Sequence, residues 1–91
     1  MSSPFFSLAG KVAFVTGTSR GLGQHFAHAL AQAGADIAMS SRDASKLDAF
    51  RKEIEALGRR TCAVALDVRD GASIKAGVAE VERQMGRIDI L

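Results

Sequence analysis

Three glycines, Gly17, Gly21 and Gly23, separate an apolar run, Val12-Ala13-Phe14-Val15, from a stretch of helical spacing, Leu22 to Ala33. Glycine permits tight turns and lets a ligand approach where a side chain would collide. A turn that opens a helix leaves the first helical amides without partners, and the helix dipole favours an anion there. This pattern predicts a phosphate cradle, and its ligand class is a nucleotide. It is not a P-loop, because Gly23 is followed by Gln24 and not by Lys and Ser/Thr. Triphosphate and magnesium binding therefore lack their residues.

A second group of residues bears on which nucleotide is taken. Folds of this kind that prefer an unphosphorylated ribose carry a carboxylate about 20 residues beyond the glycine turn, where it pairs with the 2′-hydroxyl and repels a 2′-phosphate. Here that region reads Met39-Ser40-Ser41-Arg42, and Ser41 stands where the acid would be. Arg42 follows it, and Arg20 lies inside the glycine turn. A guanidinium matches phosphate geometry and keeps its charge at neutral pH. The missing acid and the two arginines predict NADP over NAD.

Other reactive side chains point to less. His25 and His28 fall one turn apart on the first predicted helix, but no Cys or carboxylate nearby in sequence completes a metal site. No metal ligand is assigned. Cys62 is the only cysteine, which excludes an internal disulfide, and its neighbours Ala63, Val64 and Ala65 make it a small core residue.

The elements that must position the glycine turn follow from periodicity. Val12–Thr16, Ile37–Ser40 and Thr61–Leu66 read as buried strands, and Ile88–Leu91 as the start of a fourth. Between them lie three helical patterns. The first carries Leu22, Phe26 and Leu30 at i, i+4, i+8, with small alanines between and Gly34 at its end. The second carries Leu47, Phe50, Ile54 and Leu57, with Asp43 as its N-cap and Gly58 to end it. The third carries Ile74, Val78, Val81 and Met85 between Asp70 and Gly86. The order β-α-β-α-β-α-β predicts an α/β fold, a three-layer Rossmann-type parallel sheet. Right-handed crossovers lead to strand order 3-2-1-4, with the switch point beside the glycine turn. The sheet would be partial, since a fourth strand at the C-terminus leaves a bare edge and much of the second helical layer missing.

Composition narrows the class. The chain has 91 residues, 47% hydrophobic and 24% charged, with net charge +2. Charges of both signs are interspersed, and there is no Trp or Tyr to stack on bases, so nucleic acid is not an expected partner. No apolar run is long enough to cross a bilayer, and the start has no secretory pattern. The expected location is the cytoplasm.

The chain resembles the short-chain dehydrogenases/reductases along its whole length. Leu8-Ala9-Gly10-Lys11-Val12 resembles the family's entry to its first strand. Thr16-Gly17-xxx-Gly21-x-Gly23 matches its TGxxxGxG motif. Leu66-Asp67-Val68 resembles the step after its third strand, and Gly86-Arg87-Ile88-Asp89-Ile90-Leu91 the lead-in to its fourth. The resemblance implies that Ser19, Arg20, Gly21, Leu22 and Gly23 hold the cofactor's phosphates. It also implies that Asp67 accepts a hydrogen bond from the adenine amino group, with the backbone of Val68 beside it. A cap or turn role after the strand is the alternative reading of Asp67.

The same resemblance implies hydride transfer between nicotinamide and a carbonyl or alcohol substrate, and a homo-oligomeric parent protein. The family's Tyr-x-x-x-Lys pair, its Ser and its Asn are expected later in a longer chain. This sequence has no Tyr and no Asn, and no serine at a matching position, so no catalytic residue is assigned. The expectation is that residues 1–91 form the N-terminal part of one dinucleotide-binding domain, truncated before the catalytic half and inactive alone. Two alternatives stay open: a stand-alone nucleotide-binding or regulatory module, and a methyltransferase. The missing acid after the second strand argues against the second, which would need it for ribose hydroxyls.

Overall fold

Alternating side chains along three short strands feed two separate cores. The computed structural model describes residues 7–18 and 21–90. Its elements are β1 (Val12–Val15), α1 (Gly21–Gln32), β2 (Asp36–Ser41), α2 (Asp48–Glu55), β3 (Thr61–Ala65) and α3 (Gly71–Met85). The strands form one parallel sheet with β2 in the middle. Val15 pairs with Met39, and Ser41 with Ala65, so all three strands end at the same rim of the sheet. Ala13, Ile37 and Met39 point into the core beneath α1 and α2. Val12, Phe14, Ala38, Cys62 and Val64 point into the core beneath α3. A parallel sheet covered on both faces is the arrangement the β-α alternation requires.

The fourth strand is shorter than the sequence predicts. In place of a strand over 88–91, one parallel bridge joins Ile90 to Ala13 on the free edge of β1, and Leu91 lies outside the described residues. The segment is nonetheless tied down. The Phe14 amide donates to the Ile90 carbonyl at 2.8 Å, and the Val12 amide donates to the Asp89 carboxylate at 2.9 Å. The order β3-β2-β1 is thus observed, with Ile90 on the side the fourth strand was expected to take.

Two local readings need correction. Asp43 caps a short 3-10 turn, Ala44–Leu47, by accepting from the Ser45 amide at 3.1 Å, and α2 starts only at Asp48. The larger difference is in α1. Its buried residues are Ala27 and Ala31, both fully enclosed, whereas Leu22 is 71% and Phe26 58% exposed. Methyl groups let the helix lie close on the sheet over Ala13 and Ile37, which turns Leu22 and Phe26 outward while Leu30 packs partly against the same core. In α3 the expected ends hold: Asp70 accepts from the Ala72 amide at 3.0 Å, and Gly86 closes the helix at φ 89°.

Candidate functional site

The turn between β1 and α1 needs its glycines for two different reasons. Gly17 and Gly21 have φ of 65° and 61°, left-handed values that other L-residues avoid. Gly23 is needed for space. A Cβ there would overlap the Gly17 carbonyl, because the first turn of α1 presses directly on the loop. The fully buried Thr18 anchors the loop to the neighbouring strand. Its amide and its hydroxyl both donate to the Ser40 carbonyl, each at 3.1 Å. Gly17 and Gly21 are exposed, and no acidic residue occupies the first turn of α1. Ser19 and Arg20 lie outside the described residues.

Two clefts meet at Gly17. One, of about 340 Å³, is lined by Gly17, Ser41, Arg42, Leu66, Asp67, Val68 and Arg69. Three chain segments that are far apart in sequence converge there, because β1, β2 and β3 end at one rim. The other, of about 520 Å³, is apolar and lies between α1 and the free edge of β1, with Phe14, Val15, Leu22, Gly23, Phe26 and Ile90 in its walls. A shallow groove along α1 holds Gly21, His25 and His28, with no acid or cysteine in its lining among the described residues.

The polar cleft has a pre-built floor. The Leu66 amide donates to the Ser41 carbonyl at 2.9 Å, which ties the loop after β3 to the end of β2. The Asp67 amide donates to Ser73 Oγ on α3 at 2.9 Å. The Asp67 carboxylate accepts three bonds from Arg69: the backbone amide at 2.9 Å, Nε at 3.1 Å and a terminal nitrogen at 3.3 Å. The Arg69 side chain, then its amide, hold the Asp67 carboxyl below its ordinary range, and the nearby Arg42 adds to this. Asp67 is therefore a turn residue as well as a cleft residue. A carboxylate has about four acceptor sites, so the fork leaves it able to accept one bond more. Arg42 is exposed and makes no ion pair among the described residues.

The residues singled out from sequence therefore sort into groups. Gly17, Ser41, Arg42, Asp67 and Val68 share the polar cleft. Leu22 and Gly23 stand on the apolar side of Gly17, and Gly21 faces the histidine groove. Sequence reasoning missed Thr18, Ser73 and Arg69. Thr18 was detectable as the hydroxyl that follows Gly17 on a strand-to-helix turn. Arg69 follows an aspartate by two positions, the spacing of an Asx-turn.

Ala65 and Leu66 precede this loop, and Cys62 sits behind them in the α3-side core, where burial pushes its thiol above the ordinary value. It is buried and does not line the cleft. Among the described residues no helix is long and apolar enough to cross a membrane.

Known proteins share this arrangement. The short chain dehydrogenase family model matches residues 11–91. Gluconate 5-dehydrogenase from Gluconobacter oxydans (strain 621H) is 45% identical over 92 residues, which take in 100% of this chain and 36% of that protein. A metagenomic short-chain oxidoreductase solved in complex with NADP is 39% identical, with a TM-score of 0.84 over 92% of this chain and 38% of that one. Carveol dehydrogenase from Mycobacterium avium, solved in complex with NAD, is 33% identical, with a TM-score of 0.83 over 92% of this chain and 35% of that one. The chain thus spans little more than a third of the relatives it matches. By sequence, by fold and by the build of its glycine turn, this chain belongs to the short-chain dehydrogenases/reductases.

Proposed function

We propose that this chain is the NADP(H)-binding portion of a short-chain oxidoreductase, whose catalytic half lies further along a longer polypeptide. The bound cofactor supplies or takes up a hydride, and the substrate class is a carbonyl or an alcohol. The chain's own residues bind and orient. Gly17, Ser19, Arg20, Gly21, Leu22 and Gly23 receive the diphosphate at the mouth of α1. Ser41 and Arg42 receive the ribose 2′-phosphate. Asp67 and the backbone of Val68 receive the adenine.

One observation carries the cofactor choice. The polar cleft has a guanidinium at the end of β2 that makes no ion pair among the described residues, and its single carboxylate is already engaged by another arginine. A ribose-selective acid is missing from the place where it would act. Relatives bind both cofactors, so likeness alone does not choose between them. The exposure of Leu22 and Phe26 supports the longer polypeptide, since a contiguous apolar cleft is a surface that other protein covers. It weighs against a stand-alone module.

Calorimetric titration of the chain with NADPH, NADH and S-adenosylmethionine tests the reading. The expected order is NADPH tighter than NADH by about tenfold or more, a difference of about 1.4 kcal/mol, with no S-adenosylmethionine binding. Equal affinity for the two nicotinamide cofactors overturns the NADP assignment. A polypeptide continuing beyond Leu91 without a Tyr-x-x-x-Lys pair overturns the enzyme assignment.

A further inference from the structure

The polar cleft contains an acid that ought to oppose the ligand just assigned to it. Asp67 faces the same space as Arg42 and Gly17, about where a second negative charge would repel a ribose 2′-phosphate. Its position after β3 mirrors the position after β2 where an acid selects an unphosphorylated ribose. The difference lies in what covers it. Arg69 closes on Asp67 through both carboxylate oxygens, and the backbone amide of the same residue holds one of them in place. The start of the loop that carries the pair is tied to two elements, by Leu66 to Ser41 at the end of β2 and by Asp67 to Ser73 on α3. The fork is therefore part of a hydrogen-bonded turn, although the Arg69 side chain is 72% exposed.

We propose that Arg69 is a specificity-determining residue that masks Asp67, so that the cleft stays net positive and accepts a 2′-phosphorylated adenosine. The inference rests on the NADP reading above. With the mask in place, Asp67 and Arg69 cancel and Arg42 is left as the acting charge. Without it, Asp67 offsets Arg42 and the cleft becomes neutral toward an approaching phosphate. Arg69 is a positioning residue in this account. It sets the charge and orientation of Asp67, and it need not touch the ligand.

The test uses the full chain and two ligands that lack nicotinamide, adenosine 2′,5′-bisphosphate and 5′-AMP. The quantity read is the ratio of their dissociation constants. Replacing Arg69 by Ala is expected to reduce the preference for the bisphosphate by about fivefold at low salt, the size of one exposed charge acting on a phosphate across the cleft. The loss should shrink toward none at high ionic strength. Arg69→Lys should retain at least half of the preference, because it keeps a cation beside Asp67. The double variant Asp67→Asn with Arg69→Ala should return the ratio to within about twofold of the unaltered chain, because Arg42 is again the acting charge. An unchanged ratio in Arg69→Ala overturns the proposal. So does a double variant that keeps the full loss of Arg69→Ala, which would make Arg69 a direct phosphate contact. Failure of the underlying NADP reading looks different: the unaltered chain would itself bind both ligands equally well.

Discussion

The two clefts that share Gly17 differ in how finished they are. On the polar side, the loop amides of Leu66, Asp67 and Arg69 are already paired, and the one carboxylate is forked by an arginine. Thr18 fixes the shared wall by two bonds to Ser40. On the apolar side, Leu22 and Phe26 stand exposed over Val15 and Ile90. A preorganised polar receptor gains when a ligand arrives that reproduces its geometry. An apolar wall gains only when other apolar surface covers it. On the proposed reading, the first cleft is a binding site and the second is half of a core. The glycine turn is where the two requirements meet, which explains why it is built so tightly.

The largest effect should come from disturbing that shared wall. Gly23→Ala places a methyl group against the Gly17 carbonyl, and backbone cannot give way as a side chain can. The expected cost is about 3 kcal/mol, at the upper end for overpacking, with loss of nucleotide binding by more than about tenfold. Thermal unfolding should show a fall of more than about 10 °C. Normal stability and normal binding in this variant would mean that α1 does not press on the loop, and the contrast between the clefts would lose its common hinge.

A pair of substitutions in α1 sharpens the contrast directly. Ala31→Leu forces extra volume into the sheet-facing side, where Ala31 is fully buried, and should cost about 2 kcal/mol. Phe26→Gln removes a far larger apolar group from the other side of the same helix. In this chain it should change stability by less than about 0.5 kcal/mol, as for other exposed positions. Denaturant titration of both variants checks the pair. A cost above about 2 kcal/mol for Phe26→Gln would show that the apolar cleft is a finished core after all.

On the polar side, Arg42→Asp restores an acid near the position from which it is missing. The NADPH preference should fall by at least about tenfold and move toward NADH, since an attraction becomes a repulsion. Calorimetry with both cofactors reads this. Unchanged discrimination would remove Arg42 from the phosphate site.

Much of this architecture could be read from the chain. Asp70 and Gly86 mark the ends of α3 because caps are local chemistry, decided within a few residues. The three buried strands announce themselves as apolar runs of the right length, and the glycine spacing announces the turn. What escaped reading depended on partners distant in sequence. Hydrophobic spacing favours the stripe through Leu22, Phe26 and Leu30, and it gives little weight to Ala27 and Ala31. Close packing on the sheet reverses that order, because Ala27 and Ala31 are enclosed while Leu22 and Phe26 are exposed. The double bond from Thr18 to Ser40 spans 22 residues and leaves no periodic trace. Arg42 and Asp67 could each be proposed for the site, but the Arg69 fork on Asp67 concerns side-chain geometry that no pattern of residue types encodes.

The smallest effect should come from acid, and it compares the clefts through one carboxylate on each side. Asp67 holds the Arg69 amide beside the polar cleft, and Asp89 holds the Val12 amide beside the apolar one. Both carboxyls sit below their ordinary value, Asp67 because of Arg69 and Asp89 because of Arg87 and then the Val12 amide. A depressed folded value means that each contributes stability above about pH 4, its unfolded range, and loses it as pH falls through the lower folded value. Glu80, held down to about 2 by Arg83 and Gln84 on α3, keeps its charge to lower pH than an ordinary carboxylate. Stability should therefore be level from pH 7 to about 5 and decline gently below about 4, since these pairs are exposed and weak. Hydrogen exchange, corrected for the intrinsic rate at each pH, reads the two amides separately. Protection of Val12 and of Arg69 should fall together below about pH 4. If Val12 keeps full protection down to pH 3, the apolar edge is held by the Ile90 bridge alone, and the carboxylate of Asp89 has no part in docking that segment onto β1.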